Sequence, residues 1–172
     1  MRFLLKAKKR NEINKKLIER INLAVTEVND CAVCSYVHTK IALEAGLNNE
    51  EIKNLLMGNR SDVPDNELAA ILFAEHYADS RAKPSKDAWE RIVEVYGLSK
   101  AKGILAAIRM IMIGNTVGIA SNSFINRFKG KADKRSNIFY ELGIFTSLII
   151  FAPFVLIHSI FSVIFRIPLI SF

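Results

Sequence analysis

Ile13-Asn-Lys-Lys-Leu17-Ile-Glu19-Arg-Ile21-Asn-Leu-Ala24-Val25-Thr-Glu-Val28-Asn-Asp-Cys31-Ala-Val-Cys34-Ser-Tyr-Val-His38 is the stretch on which the fold class turns. Its apolar residues Ile13, Leu17, Ile21, Ala24, Val25 and Val28 recur three and four positions apart, the period of a helix with one buried face. That helix is expected to end near Asn29-Asp30. A second is expected to start at Cys31, capped by Asn29 or Asp30, and to stop at Gly46. Outward from there the punctuation repeats. Asn48 with Glu51 opens a short helix closed by Gly58, and Val63-Pro64-Asp65 opens one running to about Ala82. Ser85 caps another up to Gly97, and Ser99 one that continues to about Asn126. No alternating run reads as a strand, so the class is all-α.

Both cysteines of the 172-residue chain lie in this stretch, with one of its three histidines. On a helix, Cys31 and Cys34 are i,i+3 neighbours, and Cys34 and His38 are i,i+4 neighbours. Free N–H groups and the positive dipole end of a first turn favour a thiolate, and Cys-x-x-Cys pairs at such sites have lowered thiol pKa values. Three readings stay open on the residues alone. A dithiol could cycle through a sulfenic acid to a disulfide. A zinc site would need a fourth ligand, from His76 or a carboxylate, and lacks the second ligand pair of structural zinc motifs. Two small core residues on a buried helix are the third.

The surrounding pattern resembles the alkyl hydroperoxidase D / carboxymuconolactone decarboxylase family. The shared residues run Glu19-x11-Cys31-x2-Cys34-x3-His38, followed by Thr39-Lys-Ile-Ala-Leu-Glu-Ala-Gly46-Leu-Asn-Asn-Glu-Glu-Ile52. Weaker likeness extends over Ala69–Ala78 and Gly114-Asn115-Thr-Val-Gly118, so the resemblance covers roughly residues 12–130. It implies an oligomeric helical bundle with thiol peroxidase or disulfide oxidoreductase activity. Cys34 would be the peroxidatic thiol, Cys31 the resolving one, and His38 with Glu19 the proton relay. The substrate would be a hydroperoxide and the electron donor a lipoyl or thioredoxin-like dithiol; no cofactor or metal is called for. A non-catalytic oligomeric scaffold of the same fold is the alternative, beside the zinc module.

Gly143 to Phe165 contains no Asp, Glu, Lys or Arg and is apolar on every side of a helical wheel. As a helix it would reach about 34 Å, enough to cross roughly 30 Å of hydrocarbon, with Pro153 tolerated inside. The organisation expected is a domain over 1–130, a basic linker over 131–142 and one transmembrane helix over 143–165. Five Lys/Arg against one Asp over residues 127–135, with only Arg166 beyond the apolar run, place the N-terminal domain in the cytoplasm by the positive-inside rule. No signal peptide is visible.

The net charge of +7 is uneven: residues 1–20 carry eight Lys/Arg against two Glu, whereas 21–126 carry ten against thirteen acids. Both basic flanks suit anionic lipid, and no aromatic-basic interleaving suggests nucleic acid. Ile104 to Ile113 is apolar on most sides and needs cover on more than one face, which suggests a homo-oligomer. His76 reads as a satisfied core or boundary histidine, and Trp89 and Tyr96 as core residues. Asn115 reads as a polar group that could bond across a subunit contact, and His158 as a neutral histidine with a hydrogen-bond partner.

Overall fold

The computed structural model describes residues 2–133, 136–165 and 170, and among them the chain is helical with no strand. The elements are α1 (Arg2–Lys9), α2 (Lys15–Val28), α3 (Ala32–Glu44), α4 (Asn49–Leu56), α5 (Asp65–Asp79), α6 (Lys86–Phe128) and α7 (Ile138–Ile164). They divide into two compact units, Met1–Asn115 and Thr116–Phe172.

In the first unit α2 is the central element. Asn14 caps it by accepting from the Leu17 N–H, and its apolar face packs against α3, α4 and α5. Leu17, Ile21, Leu23 and Val25 are fully buried, as are Ile71, Ile104, Leu105 and Ile108 from later helices. A buried ion cluster fastens the same helices: the Arg20 guanidinium donates to Glu51 on α4 and to Glu67 on α5. Burial alone would lower the Arg20 pKa. The bonds and charges of Glu51 and Glu67 outweigh it and hold the group above its ordinary value.

The expected caps at Asn48 and Ser85 are present, accepting from the Glu51 and Ala88 N–H groups. Gly97, in a left-handed conformation with φ 74°, interrupts α6 where a helix end is expected. Ser99 differs from expectation. Its hydroxyl donates to Glu12 and accepts from Arg10, so it serves a tertiary contact instead. The basic N-terminal flank is itself a helix. Leu4 and Ala7 are buried while Lys6, Lys8 and Lys9 face outward. Gly103 makes that seat possible, since a Cβ there would fall 2.7 Å from the Ala7 Cβ and 2.6 Å from the Ile13 Cδ1.

In the second unit Asn137 caps α7 by accepting from the Tyr140 N–H, so the helix begins within the segment expected to be a linker. The fully buried Glu141 accepts from the Arg127 guanidinium and from the Ser136 hydroxyl. Phe145 meets Phe124 edge-on. Beyond these residues α7 exposes Ile149, Phe151, Phe154, Val155, Ile157 and Phe161 and continues through Pro153. Among the described residues, two helices are long and apolar enough to cross a membrane, Lys86–Phe128 and Ile138–Ser162. Lys134, Arg135 and Arg166, which carry part of the charge asymmetry read from the sequence, lie outside the described residues.

Candidate active site

The cysteines sit where α2 hands over to α3. Asn29 ends α2, and Asp30 turns the chain in the left-handed region at φ 51°, a conformation that Asp tolerates better than most residues. Cys31 follows with φ −98° and ψ 90° and is the N-cap residue of α3. The expected helix start at Cys31 capped by Asn29 or Asp30 is thus shifted by one residue: those two complete the turn, and Cys31 itself stands outside the helix. Its carbonyl accepts from the Ser35 N–H, and its N–H donates to the Thr26 carbonyl. Cys34 lies in the first turn of α3, where backbone N–H groups lack intrahelical partners.

Cys31 and Cys34 are joined as a disulfide, with Cα atoms 5.2 Å apart. Cys31 is 1% exposed and Cys34 8%. One turn along α3, His38 Nδ1 lies 2.9 Å from Oε2 of Glu19, which projects from α2. Glu19 is buried, so this is no surface ion pair among neighbouring lysines. Of the four residues singled out in the sequence, Cys31 is thus joined to Cys34 at the start of α3, and Glu19 meets His38 across the α2–α3 contact. Cys34 Sγ also lies 4.0 Å from the carbonyl oxygen of Gly114 on α6.

Two features were not legible in the pattern. Asn22, one turn after Glu19, donates from Nδ2 to Glu19 Oε1 at 3.2 Å. Its only sequence signal is a polar residue three positions from a glutamate on the inward face. Asn115 is 1% exposed and accepts at Oδ1 from the Thr26 hydroxyl at 3.2 Å, with its amide 3.5 Å from the Val25 carbonyl. Both of these partners lie within the chain. His76 accepts at Nε2 from the Ser85 N–H, and the His158 ring is 3.3 Å from the Ser162 hydroxyl. Trp89 and Tyr96 are half-buried instead of core: Trp89 packs on Phe73, and Tyr96 donates to the Asn66 carbonyl.

Both helices that flank the disulfide, α3 and α6, carry exposed apolar residues. Val33, Tyr36 and Val37 on α3 are exposed, Tyr36 by 76%, as are Met110 and Ile113 on α6. No group of three or more His, Cys, Asp or Glu side chains able to hold a metal occurs among the described residues.

Neither the curated proteins nor the solved structures searched contain a match to the chain. The model of the Carboxymuconolactone decarboxylase family matches residues 1–76. That segment runs from α1 through most of α5 and contains Glu19, Cys31, Cys34 and His38 together. Over residues 1–76 the chain is thus similar to the carboxymuconolactone decarboxylase family.

Proposed function

We propose that the protein is a thiol-dependent hydroperoxide reductase that works through the Cys31–Cys34 dithiol and disulfide. The observation that carries the reading is the disulfide at the start of α3 with the Glu19–His38 pair beside it. In the reduced protein, Cys34 is the attacking sulfur: it lies in the first helical turn, precedes His38 by one turn, and is the more exposed of the two. Its thiolate attacks the terminal oxygen of a hydroperoxide. The O–O bond breaks, the alkoxide takes a proton from His38 and leaves as an alcohol, and Cys34 becomes a sulfenic acid. The Cys31 thiol then attacks that sulfur, expelling water and forming the disulfide. Two thiols of a lipoyl or thioredoxin-like donor return two electrons and two protons, and the donor leaves as its own disulfide.

Both sulfurs are bonded to each other, an arrangement that leaves no thiolate for a zinc ion and so favours the redox reading over the zinc module. The exposed apolar residues of α3 and α6 around the site support a homo-oligomer. In this reading α7 spans the membrane once, because the 101–111 part of α6 forms the core of the first unit whereas α7 exposes apolar side chains along its length. The N-terminal domain then lies on the cytoplasmic side, and the cations of α1 rest against anionic lipid. Mass spectrometry of the Cys31/Cys34 peptide tests the reading. Exposing reduced protein to one equivalent of hydroperoxide is expected to yield the disulfide and one equivalent of alcohol. Reduced thiols that survive the treatment would leave the scaffold alternative.

A further inference from the structure

A carboxylate used in a proton relay has two equivalent oxygens, and only one of them can serve the relay. Glu19 is buried between two partners on different sides. Its Oε2 lies 2.9 Å from His38 Nδ1, and its Oε1 accepts from the Asn22 amide at 3.2 Å. Asn22 is itself buried, 8% exposed, so water does not compete freely for this bond. We propose that Asn22 is a positioning residue: by holding Glu19 Oε1, it commits His38 to the tautomer with its proton on Nδ1. This inference rests on the redox reading of the same site and names a residue that acts through Glu19 and His38.

The physical argument concerns which atoms can donate. An amide N–H needs an oxygen that carries no proton, so Asn22 keeps Oε1 as an acceptor and fixes the plane of the carboxylate. The second oxygen is then set toward His38 and accepts from it. A neutral imidazole that donates from Nδ1 has its lone pair on Nε2. Nε2 is thereby the nitrogen that exchanges a proton with Cys34, one helical turn back. Without Asn22, the Glu19 carboxylate can rotate and take Oε2 out of line with Nδ1, and the neutral ring is then free to carry its proton on either nitrogen. Geometry helps the arrangement form, because residues three apart on a helix are neighbours and Asn22 reaches Glu19 without any distortion of α2.

The test uses the full-length chain in detergent micelles, with reduced cysteines. Side-chain 15N spectra report the tautomer of His38 directly, and the pH profile of Cys34 alkylation by iodoacetamide reports its reactivity. In the unchanged protein, His38 is expected as the Nδ1–H tautomer alone. Asn22→Leu and Asn22→Asp, the latter of the same shape without an N–H, are expected to give mixed tautomers. Both are also expected to slow alkylation near pH 7 about tenfold, a fraction of what a positioned base contributes. A folded variant with an unmixed tautomer and an unchanged alkylation profile would overturn the proposal. Should both variants fail to fold, the Asn22 side-chain NH2 resonances decide it in otherwise native protein. Glu19→Gln is expected to shift them, and no shift overturns the inference. Absence of hydroperoxide turnover in the unchanged protein would remove the peroxidase reading and leave the tautomer result standing. Active protein with tautomer-insensitive variants would remove this inference alone.

Discussion

Arg20 and Glu19 are adjacent in sequence and point to different tasks. Arg20 is 7% exposed and joins Glu51 and Glu67, so removing its charge strands two carboxylates in the interior. Breaking such a cluster costs more than its net contribution to stability, because desolvation is no longer compensated. Arg20→Met is expected to lower the unfolding free energy by about 3 kcal/mol in urea titration. A loss under about 0.5 kcal/mol, the range of ordinary surface substitutions, would show that the carboxylates find water. Cysteine substitutions divide the chemistry differently. Cys34→Ser is expected to abolish hydroperoxide consumption. Cys31→Ser leaves the attacking sulfur but no internal partner, so consumption without an added thiol is expected to stop near about one equivalent per chain. Continued turnover by Cys34→Ser would reverse the two roles.

Helix contacts determine how these residues meet. α2 brings Glu19 and Asn22, α3 brings Cys34 and His38, and α6 closes the group with the Gly114 carbonyl and Asn115. The Thr26–Asn115 bond ties α2 to α6 beside the cysteines. At the far end of the unit, α1 seats on α6 because Gly103 has no side chain; Ala7 and Ile13 occupy the space a Cβ would need. Gly103→Val forces these contacts apart, and overpacking of this kind costs about 1–3 kcal/mol. The expected result is a lower melting temperature with faster amide hydrogen exchange in α1. Unchanged exchange in α1 would mean that the helix is held by other contacts.

The chain as a whole combines a packed helical unit with a long apolar helix. Ile149, Phe151, Phe154, Val155, Ile157 and Phe161 of α7 are apolar and exposed, a surface that water does not favour and hydrocarbon does. A chain ending before Asn137 is expected to remain in the supernatant after an alkaline carbonate wash, while the full chain stays with the membrane pellet. Alkylation of reduced Cys34 is expected to be similar in both. Release of the full chain by carbonate would reassign α7 to a protein interface. Unit boundaries fit this division of labour, since Glu19, Cys31, Cys34 and His38 all precede Asn115.

Sequence periodicity determined the helices, because helical punctuation is local: Asn14, Asn48, Ser85 and Gly97 act within one turn of themselves. Spacing also put Cys31, Cys34 and His38 on neighbouring turns, and the Glu-Cys-Cys-His pattern singled out Glu19. Tertiary structure alone decided the rest. Asn115 is an ordinary polar letter until α2 supplies its partners, and Asn22 gains its meaning only once Glu19 beside it meets His38 of α3. Ser99 left its expected cap for Glu12 and Arg10, because a distant partner can outbid a local one once the chain has folded. Hydrogen bonds between elements depend on packing, and packing is a property of the whole unit that no local window of residues contains.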